Sequence, residues 1–153
     1  MLLPALLNPI DSLLIEIHID EILQTNNSSN LILTKREAVE MIETRNHLLT
    51  SYDRLELGID VIKKLIVRFN DSKYINQGDY VTMLNDLQKV FYYTKNETED
   101  SICDDEIIDV MYYYFNSTCE GSISLLQGRE MESYTKTCRR NNQIHDFHFK
   151  GDK

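Results

Sequence analysis

Between Glu97 and Asp109 the chain carries Glu97, Glu99, Asp100, Asp104, Asp105, Glu106 and Asp109, with no lysine or arginine among them. Carboxylates this dense can hold a hard cation through oxygen ligands, or offer a docking surface to a basic partner. The spacing is not that of an EF-hand loop: the alternating acids, the sixth-position glycine and the closing glutamate are missing. A plainer account is helix electrostatics. Carboxylates in the first turn of a helix meet the positive end of its dipole, each contributing about 0.3–1 kcal/mol.

A second group lies near the C-terminus, where Cys138, His145, Asp146 and His148 bring metal-ligand side chains close in sequence. Two imidazoles and a thiolate suit zinc. The segment is polar and lacks structural punctuation, so a solvated tail is the better account of it and no metal is expected there. Tyrosine is the third oddity. There are nine, including Tyr92-Tyr93 and Tyr112-Tyr113-Tyr114, in a chain without tryptophan. Consecutive residues fan around a helix, so these rings cannot all enter one core. Tyr93, Tyr112 and Tyr113 fall off the apolar stripes and are candidates for a contact surface, since tyrosine buries area at low entropic cost.

The familiar catalytic signatures are missing. There is no glycine-rich phosphate loop, no HExxH and no GxSxG. None of Cys103, Cys119 and Cys138 has a histidine nearby in sequence except through the tail, and the acidic neighbours of Cys103 oppose thiolate formation. A net charge of −9 disfavours nucleic acid, whose binding rests on lysine and arginine releasing counterions. The opening MLLPALLNPI is apolar but has no basic n-region and is interrupted by Pro4 and Pro9. No run reaches the roughly 18–20 apolar residues that span a bilayer. Three cysteines without CxxC spacing suit free thiols in a reducing compartment. These features point to the cytoplasm, to no membrane and no nucleic acid, and to no cofactor.

The elements that must position these residues are helical. Both prolines lie in the first ten residues, and everything beyond is free of that helix breaker. A first helix runs from Asp11 or Ser12 to Asn26, although Ile15–Ile19 also alternates like a strand. Thr34-Lys35-Arg36-Glu37 is a capping box, flanked by Leu33 and Ala38 as a hydrophobic staple, and opens a second helix to about Ser51. The third covers Ile59–Asn70, the fourth Gln77–Asn96 and the fifth Asp104–Asn116. A last helical region extends from Ser122 to about Cys138. The expected fold is therefore all-α, an irregular bundle of five or six helices forming one domain over 1–138, with a flexible polar tail at 139–153. The short apolar runs 31–33 and 54–57 leave room for one minimal two-stranded pairing.

Three segments carry a family resemblance: LTKREAVEMIETRNHLL (33–49), RLELGIDVIKKLIVRF (54–69) and LQKVFYYTKNETEDSICDDEIIDVM (87–111). They resemble an uncharacterised family of small helical cytosolic proteins from low-GC Gram-positive bacteria. The pattern is an LT-capped helix ending in E-x-R-N, then R-[VL]-E-[FL]-G, then an acidic block. The matching residues are Glu43, Arg45 and Asn46; Arg54, Glu56 and Gly58; and Lys95, Asn96, Glu97, Glu99, Asp100, Asp104, Asp105 and Glu106. The resemblance implies a bacterial cytosolic origin and assigns no activity. Two function classes follow. The first is a non-enzymatic protein-interaction module, monomer or homodimer, using an acidic, tyrosine-rich face that includes Tyr93, Tyr112 and Tyr113. The second is an enzyme or a small-ligand or metal-binding domain, with Glu43, Arg45, Asn46, Arg54, Glu97, Glu99 and Asp100 converging on one carboxylate–arginine cleft.

Overall fold

The computed structural model describes the backbone of residues 9–151 and the side chains of residues 13–141. The fold is all-α. Helix α1 spans Pro9–Asn26, α2 Lys35–Ser51, α3 Asp60–Phe69, α4 Tyr80–Glu97 and α5 Asp104–Asn116. A 3₁₀ turn at Gln77–Asp79 leads into α4; after α5 come α6 (Ile123–Leu125), a π-helical stretch (Leu126–Met131) and α7 (Glu132–Gly151).

Helix α4 is the centre of the bundle, packing on α2, α3, α5 and α7. Its stripe Tyr80, Leu84, Leu87, Val90 and Phe91 is fully enclosed. Around it lie Met41 and Ile42 of α2, Ile62, Leu65, Ile66 and Phe69 of α3, and Ile107, Ile108, Met111 and Phe115 of α5. Phe69 and Phe115 meet edge to face, centroids 5.5 Å apart, the arrangement favoured by the ring quadrupoles. A carboxamide is sealed in with them: Gln88 of α4 donates to the Met41 carbonyl of α2 at 3.1 Å while its Oε1 has no partner.

Local chemistry sets the helix ends. The capping box at α2 is complete: Glu37 N–H donates to Thr34 Oγ1 at 3.1 Å, and Thr34 N–H donates to Glu37 Oε1 at 2.9 Å. Leu33 and Ala38, the staple pair, are both buried. At the other end Arg54 N–H reaches back to the Leu49 carbonyl at 2.8 Å, with Asp53 at φ 53°. This is a Schellman turn whose left-handed residue is aspartate in place of the usual glycine. Helix α4 closes the same way: Asp100 N–H donates to the Lys95 carbonyl at 3.0 Å, with Glu99 and Asp100 at φ 53° and 60°.

The two-stranded pairing is not formed, and no strand occurs among the described residues. The physical reason is a side chain. Ile32 N–H donates to Gln77 Oε1 at 2.6 Å and the Ile32 carbonyl accepts from Gln77 Nε2 at 2.7 Å. One carboxamide thus supplies what a neighbouring strand would have given. The segment that would have paired, 54–57, is held elsewhere. The backbone of 139–151 continues α7, where the sequence shows no helical period.

Candidate functional site

The polar side chains that the topology gathers lie around the segment Arg54–Gly58, which crosses from α2 to α3 without regular structure. Alternate residues are anchored inward. Arg54 Nη2 is 2.9 Å from Asp100 Oδ1, and Arg54 Nε is 3.7 Å from Glu56 Oε2. The Arg54 guanidinium carbon lies 6.0 Å from the Tyr92 ring centre. Glu56 Oε1 accepts from Tyr92 OH at 2.7 Å. The backbone is held from below by Arg45 of α2. Its Nη2 donates to the Glu56 carbonyl and, at 2.7 Å, to that of Gly58, while Nη1 donates to Asn46 Oδ1 at 2.7 Å. Burial, with the Glu56 carboxylate second, pushes the Tyr92 phenol far above its usual range. It therefore stays a hydrogen-bond donor to that carboxylate at any working pH. Beside it, Lys95 Nζ bridges Asp104 Oδ1 and the Ile102 carbonyl, each at 2.8 Å.

The anchoring has a steric consequence. With 54, 56 and 58 tied in, Leu55 and Leu57 point out, 90% and 84% exposed. Two clefts flank this ridge. One of about 290 Å³ lies against α1 and α2, with Leu14, Ile15, His18, Ile42 and Leu57 on its walls. The other, about 370 Å³, lies toward Gly58, Lys95 and Asp104. Leu57 belongs to both.

Of the residues that sequence reasoning nominates, Arg45, Arg54 and Asp100 come together here. Asn46 touches the network only through Arg45 and is itself exposed. Glu43 is exposed on α2 and Glu99 is exposed in the α4–α5 turn. Glu97 turns away to Arg139, at 3.3 Å. Glu56, Tyr92, Lys95 and Asp104 complete the network, although the nominated set omits them. The alternation in Arg54-Leu-Glu-Leu-Gly58 was the available signal: it separates an anchored side from an exposed one.

The acidic block is largely paired internally. Asp100 meets Arg54, Asp104 meets Lys95, Asp105 meets Lys64 at 2.9 Å and Asp109 meets Arg68 at 2.9 Å. Glu106 accepts from Tyr134 OH at 2.9 Å. Burial and that carboxylate raise the Tyr134 phenol well above the usual range. Among the tyrosines, Tyr93 is half-buried. Tyr112 is wedged between Arg68, whose guanidinium carbon is 3.9 Å from its ring centre, and Phe69, and it donates to Asp71 Oδ1 at 2.7 Å. Tyr113 is 65% exposed.

Among the described residues, no group of three or more His, Cys, Asp or Glu side chains is placed to hold a metal ion. Cys138 is half-buried on α7; His145 and His148 lie outside the described side chains. No helix among the described residues is long and apolar enough to cross a membrane. Compared with known proteins, residues 18–144 match the model of a family of unknown function, DUF6323. No curated protein and no solved structure matches the chain.

Proposed function

Since the chain belongs to this family of unknown function, its role has to come from its own geometry, and we propose that it is a protein-interaction module whose contact surface is the Leu55–Leu57 ridge. The observation that carries the reading is two leucines at 90% and 84% exposure on a segment fixed by Arg45, Asp100 and Tyr92. Exposed apolar side chains are common singly. A rigidly presented pair beside a further exposed apolar residue, Leu14 of α1, marks a contact site. A segment that is already ordered loses little entropy on binding, so its apolar area converts to affinity with less offset.

This reading moves the contact surface away from the acidic, tyrosine-rich face. The carboxylates there are mostly committed to Arg54, Lys64, Arg68, Lys95 and Arg139, and Tyr112 is packed; Tyr113 remains available as a peripheral contact. The three thiols, none in a disulfide, support placing the module in a bacterial cytosol. A photo-crosslinking residue in place of Leu57, compared with one in place of Glu43, tests the proposal in the native host. The expected result is a discrete adduct from position 57 alone, lost on Leu55→Ser with purified folding unchanged. Equal adducts from both positions, or none from 57, would sink it.

A further inference from the structure

The cleft between α1, α2 and the Arg54–Gly58 segment has the makings of a small-ligand site, independent of whether the ridge binds a protein. Its volume of about 290 Å³ corresponds to roughly ten water volumes at about 30 Å³ each, enough for a molecule of about six to ten heavy atoms. Leu14, Ile15, Ile42 and Leu57 make its walls apolar.

Two polar residues on its surface are unusual. Arg45 is only 7% exposed, yet no carboxylate among the described residues lies within ion-pair distance of it. Its Nη atoms are spent on carbonyls and on the Asn46 amide oxygen, and its Nε has no hydrogen bond. A buried guanidinium without a counter-charge is costly, and the strain is relieved by bringing an anion nearby. His18 is 8% exposed and has no hydrogen-bond partner among the described residues. Burial, the leading cause, and the charge of Arg45 hold its imidazole below the usual range against the opposing pull of Glu21. The ring is thus neutral, with one N–H to donate. The one carboxylate bordering the cleft, Glu56, is turned to Tyr92 and Arg54, which limits its repulsion of an incoming anion.

We propose that this cleft binds an aliphatic carboxylate, its chain lying against Leu14, Ile15 and Ile42 and its carboxylate taking the His18 N–H within the field of Arg45. The same chemistry is presented by a free short-chain acid and by the C-terminal residue of a chain ending in leucine. The test uses the full-length protein labelled at its histidines. It is titrated with 4-methylpentanoate, with the corresponding 4-methylpentanamide, and with an N-acetylated peptide ending in leucine.

The expected result is a saturable displacement of the His18 imidazole resonances by the acid, with the amide at least tenfold weaker. Leu14→Trp, at a half-exposed position, fills the cleft and should abolish the effect while the rest of the spectrum stays native. Binding of both acid and peptide identifies a chain terminus as an acceptable ligand; binding of the acid alone identifies a small metabolite. Amide and acid binding alike, an acid response that survives Leu14→Trp, or no His18 response to acid or peptide overturns the proposal.

Discussion

Replacing Arg45 by methionine is the most informative single perturbation, because this side chain ties down the backbone of the ridge at two carbonyls. The substitution keeps the aliphatic stem and removes three hydrogen bonds, to the carbonyls of Glu56 and Gly58 and to Asn46 Oδ1. Bonds from a charged donor contribute about 1.5–3 kcal/mol each, so the gross loss is roughly 4–9 kcal/mol. Two effects work the other way. The buried charge no longer has to be desolvated, an effect of several kcal/mol. The freed carbonyls also belong to a surface segment where water can reach them. The net expectation is a loss of about 2–3 kcal/mol. For a chain of this size that corresponds to a fall in Tm of about 4–12 °C. Urea unfolding gives the energy, and amide hydrogen exchange at residues 54–58 gives the location. A stability change within about 0.5 kcal/mol, the range of an ordinary surface substitution, would show that the segment is held by something else. Unchanged exchange at 54–58 would refute the anchoring argument even if the protein were destabilised.

Other substitutions probe the remaining elements. Gly121 sits at φ +83°, and a Cβ there would lie 2.5 Å from Tyr74 Cβ; Gly121→Ala should therefore cost more than about 2 kcal/mol in urea unfolding. Tyr113→Ala should stay within about 0.5 kcal/mol of the parent, while Tyr112→Ala, which loses the contacts to Arg68, Phe69 and Asp71, should cost about 1–2 kcal/mol. Equal effects would remove the distinction between the two rings. His18 has a lowered folded-state pKa, so the unfolded chain binds its proton more readily. Its contribution to stability is complete above the unfolded value of about 6.5 and is lost as pH falls through and below that value. Between pH 7.5 and 5.5 the parent should lose more stability than His18→Gln, measured as the shift in urea midpoint; parallel losses would show that His18 does not titrate between the two states.

What was legible in the sequence was whatever rests on neighbours a turn apart. The capping box at Thr34 and Glu37 is one case, with both partners within four residues. The start of α5 is another, with three carboxylates after Cys103. Contacts across turns were not legible. Arg45 reaches Glu56 and Gly58 because Asp53 takes a left-handed conformation, and only a glycine there would have announced the turn. The region after Gly121 shows a further limit. Leu126 and Met131 are both fully buried, yet five residues apart they would sit about 140° apart on an α-helix. The π-helical stretch between them widens the turn and brings both to one face. A helical wheel drawn at 3.6 residues per turn has no means of showing this.

The acidic block illustrates why composition alone misleads about surfaces. Seven carboxylates in thirteen residues read as a patch of negative potential. In the fold, α3 lies alongside α5 and places Lys64 and Arg68, one turn apart, opposite Asp105 and Asp109, also one turn apart. The two rungs have the same spacing, so each pair forms without strain on the other. Each rung is exposed and contributes at most about 1 kcal/mol, too little to account for the stability of the α3–α5 contact, which rests on Phe69, Ile108 and Phe115. Their effect is on register. Sliding α5 by one turn would break one rung and leave one basic and one acidic side chain without their present partners. Six of the seven carboxylates thus have a partner within the molecule, two of these partners on α3 and the others at Arg54, Lys95, Arg139 and Tyr134. On the proposed function, contact with a partner falls instead to the apolar ridge at Leu55 and Leu57, where Arg54 is paired with Asp100.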